Sequence, residues 1–325
     1  MTIMENSQVL TVRVGRKWSE ATDICGLDLL PQDGQRLPSF TAGSHIDLHL
    51  PGGIVRQYSL CNAPTDSNRY QLGILREPDS RGGSRAVHEQ INEGDLIKIS
   101  APRNHFHLVQ ARRYLLFAGG IGITPILCMA ERLVATDADF ALHYCARTPD
   151  RMAFTGRLAD PLLKDRVELH PDNGPEAAQL DLDKVLNRPT VGTHMFVCGP
   201  TGFMNWVIDT AKAKGWGSDQ IHYEYFAAAM SAKQEGDGSF EIELASNGKV
   251  MIVPAGRTPL EVLGEHGIEI PVSCEAGVCG TCVTRILSGI PEHRDVFLTE
   301  SEHAANDQFT PCCSRSRSDR LVLDL

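Results

Sequence analysis

The most specific pattern in the C-terminal part of this chain is C-E-A-G-V-C-G-T-C, which runs from Cys274 to Cys282. Two adjacent cysteines follow in T-P-C-C-S-R, at Cys312 and Cys313. The first three cysteines therefore have the spacing C-x4-C-x2-C, and a fourth comes from far along the chain. Thiols packed this closely around two glycines are typical of a tight loop rather than of a helix or a strand. We expect this loop to wrap around a metal centre.

The spacing is typical of a plant-type 2Fe–2S cluster, a one-electron carrier that four thiolates hold. Gly277 and Gly280 allow positive φ and a close approach of the backbone. The small neighbours Ala276 and Thr281 leave backbone N–H groups free to point at sulfur atoms, which tunes the reduction potential. The predicted metal ligands are Cys274, Cys279, Cys282 and one of the pair Cys312 and Cys313.

Structural zinc is the main alternative for these cysteines. Zinc sites usually carry C-x2-C knuckles in pairs, and this stretch contains one knuckle, Cys279–Cys282. A disulfide framework is disfavoured, because the N-terminus M-T-I-M-E-N-S lacks the basic and apolar regions of an export signal. The spacing therefore favours the iron–sulfur interpretation over zinc.

The composition is that of a soluble globular protein, with 42% hydrophobic and 22% charged residues and no apolar run of membrane-spanning length. A length of 325 residues predicts two or three domains. Ten cysteines without an export signal indicate a reducing compartment, so we expect the cytoplasm. The net charge is −10, and residues 238–325 carry 13 acidic and 7 basic side chains. This balance disfavours nucleic acid and permits docking on a basic partner, although it also fits a merely solubilising surface.

Residues 9–103 have the pattern of short alternating strands. Turns such as Pro51–Gly53 and Glu93–Asp95 separate them. Several strands at this density predict an antiparallel β-barrel. The predicted elements are strands at Val9–Val14, His45–Leu50, Val55–Leu60, Tyr70–Leu75 and Leu96–Ser100, with one helix near Ser84–Ile91.

From Tyr114 onward strands and helices alternate. The continuous apolar run Tyr114–Ala118 predicts a buried parallel strand, and G-G-I-G-I-T-P follows it before a helix. This alternation predicts an α/β doubly wound domain. Its further predicted strands are Ala141–Cys145, Val167–His170 and Met195–Cys198, and its helices are Ile126–Val134, Leu180–Leu186 and Gly202–Lys214.

The stretch A-A-A-M-S-A-K-Q-E-G-D-G, at 227–238, is small and polar, as linkers are. Beyond it we predict strands at Phe240–Leu244, Lys249–Val253 and Leu321–Leu323 and a helix at Leu260–His266. The chain is therefore predicted to be multidomain. The predicted boundaries are 1–108 for the barrel, 109–228 for the α/β domain, 229–238 for the linker and 239–325 for the cysteine domain.

A candidate phosphate site combines two stretches of the barrel. R-Q-Y-S-L-C-N begins at Arg56, and its period of two places Arg56 and Tyr58 on one strand face and Gln57 and Ser59 on the other. R-G-G-S at Arg81–Ser84 opens a helix with glycine amides and a hydroxyl cap, which suits an anion. Each stretch alone has a plain explanation, as an amphipathic strand or a capped turn. The candidate contacts are Arg56, Gln57, Tyr58, Ser59, Gly82, Gly83 and Ser84.

A candidate dinucleotide site lies at the strand ends of the α/β domain. The glycines of G-G-I-G-I-T-P suit a pyrophosphate turn, although the motif is not G-x-G-x-x-G. Thr124 is a candidate contact to a nicotinamide ring, and Pro125 is expected to start the helix. V-C-G-P and H-Y-C-A-R end two other strands. The candidate contacts are Gly119, Gly120, Gly122, Thr124, Arg147, Cys198, Gly199 and Pro200.

Composition alone leaves several of these residues open. Cys198 suits a core position as well as a site, and His222 is expected to be a surface or strand-end residue. Arg147 and Arg151 are both available to a 2′-phosphate, so charge does not decide between NADH and NADPH.

In combination these motifs resemble the ferredoxin–NADP reductase superfamily, joined to a C-terminal plant-type ferredoxin. The domain order, R-G-G-S, G-G-I-G-I-T-P, C-C-S-R and the terminal L-V-L-D-L are similar to the class IA reductases of Rieske oxygenases. That group includes the phthalate dioxygenase, vanillate O-demethylase and carnitine monooxygenase reductases. The resemblance implies a β-grasp ferredoxin domain, FMN rather than FAD, and NADH. It favours Cys312 over Cys313 as the fourth ligand.

The resemblance also assigns roles. It implies that R-x-Y-S lines the flavin, that the glycine-serine loop holds its phosphate, and that Cys198 lies beside the nicotinamide. H-Y-C-A-R would face the adenosine ribose, and Glu224 and Phe226 would reach the flavin. Hydride would pass from NADH to the flavin, with Ser59, Thr124 and Cys198 around the reacting atoms, and single electrons would leave through the cluster to an oxygenase.

Two other functions fit the same motifs. One is a stand-alone flavoprotein that reduces a small molecule directly. The other treats the C-terminal domain as a zinc-stabilised interaction module.

Overall fold

The computed structural model describes residues 9–32, 36–78, 82–226 and 237–325. The chain divides into two compact units, Met1–Glu224 and Tyr225–Leu325. The predicted linker 229–238 lies almost wholly outside the described residues, and so does Arg81 of the predicted phosphate loop. The predicted domain boundaries stay predictions.

The first part of the first unit is an antiparallel β-barrel, as predicted. Its strands run in the order β4-β3-β6-β1-β2-β5, with β7 paired to β3, and a bridge between Leu60 and Leu72 links the two ends. Alternate residues such as Val12, Val14, Leu27 and Leu29 are fully buried, because a strand turns every second side chain inward. The elements are β1 (Val9–Ala21), β2 (Ile24–Pro31), β3 (Ser44–Leu50), β4 (Ile54–Ser59), β5 (Tyr70–Leu75), α1 (Gly83–Gln90), β6 (Leu96–Ser100) and β7 (Arg103–Asn104).

The second part of this unit is a five-stranded parallel sheet with helices, the predicted doubly wound domain. Its strand order is β10-β9-β8-β11-β12, so the order reverses between β8 and β11. In such sheets ligands bind at this switch point, beyond the carboxyl ends of the strands. The elements are β8 (Arg113–Gly119), α2 (Ile123–Ala135), β9 (Asp139–Ala146), α3 (Thr155–Leu158), β10 (Val167–Pro171), α4 (Leu182–Val185), β11 (Thr193–Cys198), α5 (Thr201–Ala213) and β12 (Ile221–Glu224).

The second unit is a small mixed sheet with two helices, the α+β architecture expected of a β-grasp domain. Its sheet has the order β14-β13-β19-β15-β17, in which β13 and β19 are parallel and the other pairs antiparallel. The elements are β13 (Phe240–Leu244), β14 (Val250–Val253), α6 (Pro259–Glu265), β15 (Thr284–Ser288), β16 (Pro291–Glu292), α7 (Glu300–Ala305), β17 (Gln308–Phe309), β18 (Arg315–Ser316) and β19 (Arg320–Leu323).

Short 3-10 turns complete the secondary structure. They lie at Pro51–Gly53, Gly120–Gly122, Pro149–Arg151, Lys164–Arg166, Glu176–Ala178 and Ser218–Gln220. Of the helices within the described ranges, none combines the length and the apolar character needed to cross a membrane.

Candidate functional site

The cysteine stretch forms the predicted tight loop between α6 and β15. Gly277 and Gly280 have φ of +70° and +71°, as their positions predicted. A Cβ on Gly277 would lie 2.6 Å from Sγ of Cys313, so only glycine fits there. The conformation of the loop therefore depends on its glycines as well as on the spacing of its cysteines.

The four expected ligands meet as two pairs of buried thiols. Cys274 hydrogen-bonds Cys279, and Cys282 hydrogen-bonds Cys312. The first of these bonds lowers the pKa of Cys279 to about 5, because it stabilises the thiolate. Each cysteine is at most 8% exposed. Two pairs of buried thiols are the number of donors that a 2Fe–2S cluster needs, with two thiolates for each iron.

Polar groups surround the sulfur atoms, as expected of an iron–sulfur site. The backbone N–H of Ala276 donates to Sγ of Cys274 at 3.3 Å, and Sγ of Cys279 lies 3.2 Å from the Thr281 hydroxyl, which lowers the pKa of that thiol. Such bonds stabilise negative charge on sulfur and thereby shift the reduction potential of a cluster.

Cys313 has different neighbours from Cys312. Its Sγ lies 3.2 Å from the hydroxyl of Thr310, and Thr310 is itself fully buried. The thiol of Cys312 interacts with that of Cys282 and also with that of Cys313. Sγ of Cys313 in turn lies against Gly277 of the loop. Both adjacent cysteines therefore lie at the cluster loop, and Cys312 as the fourth ligand stays a prediction.

In the barrel, Arg56 crosses the start of α1. A Cβ on Gly83 would lie 2.4 Å from Cγ of Arg56, which places the arginine stem against the first turn of the helix. Gly82 precedes the helix with φ +90°. The backbone amides at this helix start, together with the guanidinium, form the polar cradle that a phosphate requires.

One detail of this loop differs from expectation. Ser84 was predicted to cap the helix, but α1 begins at Gly83 and its first turn has no side-chain cap. The hydroxyl of Ser84 instead accepts the backbone N–H of Glu77 at 3.1 Å. Ser84 therefore holds the preceding chain against the helix start.

The strand that carries Arg56 also presents an unsatisfied amide. Nε2 of Gln57 is buried and has no hydrogen-bond partner among the described residues. Buried polar atoms nearly always have partners, so this donor marks a place for an additional acceptor. The neighbouring Tyr58 has a raised pKa because of burial, and its ring is neutral at any physiological pH. The strand thus fits a group that is both aromatic and rich in acceptors, as a flavin is.

Ser59, Glu224 and Cys198 meet where the barrel joins the α/β domain. The Ser59 hydroxyl donates to Oε2 of Glu224 at 3.5 Å. Burial raises the pKa of Glu224 to about 8, so the carboxyl is protonated at pH 7. Burial, with the nearby Glu224 carboxyl second, raises the pKa of the Cys198 thiol well above its usual value. The site therefore holds a neutral acid and a neutral thiol rather than charges.

The two predicted glycine turns abut at the switch point of the sheet. A Cβ on Gly122 would lie 2.2 Å from the carbonyl oxygen of Cys198, and one on Gly199 would lie 2.9 Å from Cα of Gly119. The backbone at the end of β11 is thus in direct contact with the backbone of the turn after β8. Gly120, with φ +53°, and Pro200, just before α5, complete these turns.

Thr124 lies in the first turn of α2 and is almost fully buried. Its hydroxyl donates to the carbonyl of Ile121 at 3.0 Å, and its methyl group lies 3.0 Å from the Cβ position of Gly73 on β5. Because α2 begins at Ile123, Pro125 is its third residue rather than its first. Proline is tolerated there, since the first-turn N–H groups have no partner within the helix.

The remaining predicted contacts lie at several places. Arg147 is exposed just beyond β9, at the carboxyl edge of the sheet, whereas Arg151 pairs with Asp23 of the barrel at 2.9 Å. His222 is a half-buried residue of β12 that stacks on Phe196 and lies 2.9 Å from His194. Phe226 is 39% exposed and belongs to the second compact unit.

Sequence reasoning missed a polar bridge inside the first unit. Arg157 donates to the carbonyl of Cys61 at 2.7 Å and to Oε1 of Gln71 at 2.6 Å, both in the barrel. It also pairs with Glu131 of α2 at 2.5 Å. No local motif marks Arg157, because its partners come from three separate segments. This bridge fixes the barrel against α2, whose first turn carries Thr124.

Comparison with known proteins agrees with this architecture. Residues 243–317 match the family profile of a 2Fe-2S iron-sulfur cluster binding domain. The chain is 58% identical to the vanillate O-demethylase oxidoreductase of Pseudomonas putida, over 94% of this chain and 96% of that protein. It is 40% identical to the reductase subunit of phthalate 4,5-dioxygenase of Pseudomonas putida, over 97% and 96%.

A solved structure of phthalate dioxygenase reductase, described as a modular structure for electron transfer from pyridine nucleotides to [2Fe-2S], superposes with a TM-score of 0.80. The identity is 36%, and the match covers 98% of each chain. Because relatives this similar match along nearly the whole chain, they share its domain order. The chain belongs to the class IA reductases of Rieske oxygenases, which are NADH-dependent flavoproteins with FMN and a 2Fe–2S ferredoxin domain.

Proposed function

We propose that this reductase delivers electrons from NADH to an oxygenase that demethylates a methoxylated aromatic acid. The observation that carries the proposal is the 58% identity, along nearly the whole chain, to an oxidoreductase named for vanillate O-demethylation. The 40% identical relative serves a dioxygenase. The greater similarity therefore favours the demethylase class of partner.

Within the barrel, Arg56 and the amides of Gly82 and Gly83 hold the FMN phosphate. The guanidinium supplies a countercharge, and the start of α1 supplies amide donors and a favourable dipole. Ser84 keeps the preceding chain in place through the Glu77 amide. We assign the free Nε2 of Gln57 to an acceptor of the flavin.

Tyr58 and Ser59 line the isoalloxazine ring. A bound flavin supplies the conversion between two-electron hydride chemistry and one-electron transfer. Ser59 is held by Glu224, so its hydroxyl is oriented before the coenzyme arrives. The neutral state of Glu224 keeps a negative charge away from the site at which electrons are delivered.

The nicotinamide coenzyme lies along the turns at the switch point. The turns at Gly119–Gly122 and Cys198–Pro200 present backbone to the pyrophosphate and the ring. Thr124 and Cys198 orient the nicotinamide, and the exposed Arg147 faces the adenosine ribose. Since Arg151 is paired with Asp23, one fewer cation is available to a 2′-phosphate, which supports NADH. No side chain acts as acid or base, because positioning is what hydride transfer requires.

Cys274, Cys279, Cys282 and Cys312 hold the cluster, and Cys313 packs beside it. The pairing of Cys312 with Cys282 supports this choice. Phe226, in the segment after β12, is assigned to the flavin site on the resemblance alone. The ten cysteines form no disulfide, which favours a reducing compartment, and we propose the cytoplasm.

The test of the partner class is reconstitution. The purified reductase with FMN, iron and sulfide is mixed with NADH and either of two oxygenases, from the vanillate O-demethylase or the phthalate dioxygenase system. We expect demethylation of vanillate at a rate at least tenfold above ring dihydroxylation of phthalate. Equal rates, or a preference for the dioxygenase, would contradict the proposal.

The test of the electron route uses Cys274→Ser in the full chain. We expect this variant to reduce its flavin with NADH at the normal rate and to lose transfer to the oxygenase. The control is Cys128→Ser, which removes a buried thiol of α2 and should transfer normally. If Cys274→Ser loses both steps, the route through separate flavin and cluster modules is wrong. If it keeps both, the enzyme is a stand-alone flavoprotein.

A further inference from the structure

The second unit contains a cluster of two histidines and an aspartate apart from the cysteines. Asp295 follows β16, His293 precedes it by two residues, and His303 lies on α7. One potential ligand atom from each residue lies within 4.8 Å of the other two. We call these three residues the histidine-aspartate cluster.

The geometry brings both rings to one carboxylate. Nε2 of His303 lies 3.3 Å from Oδ2 of Asp295, and Nδ1 of His293 lies 3.7 Å from Oδ1. The two imidazole rings stack with centroids 4.2 Å apart. Ligand atoms bound to one metal at about 2.0–2.2 Å are separated by roughly 3–4 Å, so small side-chain adjustments suffice to enclose an ion.

The three side chains of the histidine-aspartate cluster are mostly buried, unlike a chance grouping of surface residues. The side chain of Asp295 is fully buried, that of His293 is 10% exposed and that of His303 is 29% exposed. The His303 side therefore provides access from solvent, while the carboxylate anchors the interior. A fully buried carboxylate is costly unless it is hydrogen-bonded, paired or bound to a metal.

The backbone around Asp295 is fixed before any ion binds. Its Oδ2 accepts the backbone N–H groups of Phe297 and Leu298, and its Oδ1 accepts the Ser314 hydroxyl at 3.4 Å. A capping box at Thr299 then starts α7, which carries His303. Bonds of this kind orient a ligating carboxylate in metal sites.

The ring nitrogens of His293 give separate support for a bound ion. Both of its ring nitrogens are buried, and neither makes a hydrogen bond of normal geometry with any described residue. Buried polar atoms without partners are rare, and each one calls for an explanation such as an ion. A hydrogen bond between His303 and Asp295 does not explain why the ring nitrogens of His293 are buried without partners.

Another group of possible ligands, His143, Glu168 and His170, differs from the histidine-aspartate cluster because its histidines have hydrogen-bond partners. His143 and His170 lie with their nitrogens 3.1 Å apart, and Nδ1 of His170 also lies 2.7 Å from the carbonyl of Ala178. Their ring centroids are 5.4 Å apart, so the two nitrogens point almost straight at each other as in an ordinary hydrogen bond. That pair is satisfied without an ion.

We propose that His293, Asp295 and His303 bind a divalent transition-metal ion such as Zn²⁺. Two imidazoles and one carboxylate form a donor set that such ions accept, with open positions left for water. The site uses none of the cluster cysteines, and its Asp295 lies beside Gly277 of the cluster loop. It would tie α7 to the segment that precedes it.

The test is Zn²⁺ binding to the full chain loaded with FMN and cluster. After dialysis against Zn²⁺, bound zinc, iron and acid-labile sulfide are measured together, and the melting temperature is recorded. We expect one Zn²⁺ for each chain with iron unchanged and a higher melting temperature. We expect His293→Gln and His303→Gln each to lower zinc affinity at least tenfold.

The matched control is His266→Gln, which alters a histidine of the same unit whose ring is bonded to the Val262 carbonyl. It should bind zinc like the unaltered protein. Iron and sulfide content show whether each variant is folded. The proposal is overturned if the unaltered protein binds no zinc, if the three variants bind it equally, or if zinc appears only as iron is lost.

Discussion

At the scale of single residues, the protonation of Glu224 sets a pH dependence. Its folded-state pKa is raised from 4.5 to about 8 by burial, so the carboxyl is neutral at pH 7 and loses its proton as the pH rises through about 8. The charge formed then opposes delivery of electrons beside it. We expect the rate of flavin reduction by NADH to fall above pH 8, and Glu224→Gln to remove that fall. The measurement is stopped-flow bleaching of the flavin from pH 6 to pH 9.5.

The control for this prediction is Glu131→Gln, an acid of the same unit that pairs with Arg157. Its pH profile should keep the fall near pH 8. A Glu224→Gln profile that still declines there would assign the titration to another group.

The choice of the fourth cluster ligand is also decided by one residue. Cys312 interacts with Cys282 as well as with Cys313, whereas Cys313 also contacts the Thr310 hydroxyl. We expect Cys312→Ser to lose the cluster and Cys313→Ser to keep the iron and sulfide of one cluster per chain. Iron and sulfide analysis with electron paramagnetic resonance of the reduced proteins measures this. The reverse result would assign the ligand to Cys313.

At the scale of elements, the start of α6 is fixed by hydrogen bonds between residues close together in the sequence. The Thr258 hydroxyl accepts the backbone N–H of Glu261 at 3.2 Å, and the Glu261 carboxylate accepts that of Thr258 at 2.9 Å. We expect Thr258→Ala to destabilise the second unit by about 1 kcal/mol, because one helix donor loses its partner. Thermal unfolding followed by the visible circular dichroism of the cluster measures the change.

Gly264, near the end of the same helix, supplies the opposite change. A Cβ there meets no atom within 4 Å, so alanine fits without strain. We expect Gly264→Ala to raise the free energy of unfolding by about 0.5–1 kcal/mol, the difference in helix propensity. A loss of stability would show that the position needs glycine.

Elements with a clean pattern were predicted well, and others were not. Tyr70–Leu75 and Leu96–Ser100 match β5 and β6 residue for residue, because alternation and flanking turns delimit them. β2 was missed, since I-C-G-L-D-L-L-P does not alternate cleanly and its buried Asp28 is satisfied by Gln71 across the sheet. α7 was missed as well, although the Thr299 and Glu302 capping box was a usable signal.

At the scale of the molecule, Arg157 fixes the mutual placement of the barrel and the α/β domain. Arg157→Met removes the partner of the partly buried Glu131 carboxylate and leaves that charge unpaired. We expect a loss of about 1–3 kcal/mol in the stability of the first unit, most of it recovered in the double variant with Glu131→Gln. Urea unfolding followed by flavin fluorescence measures the stability of the single and double variants. A double variant as unstable as Arg157→Met would show that the barrel contacts of Arg157 dominate instead.

Local sequence patterns were enough to predict the three domain types and the cluster loop. Spacing and residue size act locally, so Cys274, Gly277 and Cys279 can be interpreted without knowledge of the rest of the chain. Folding alone brings Cys312 to Cys282, Ser59 to a neutral Glu224, and Arg157 to both the barrel and α2. These contacts join residues far apart in the chain. Their burial, and with it the protonation of Glu224, arises only when the surrounding strands and helices exclude water.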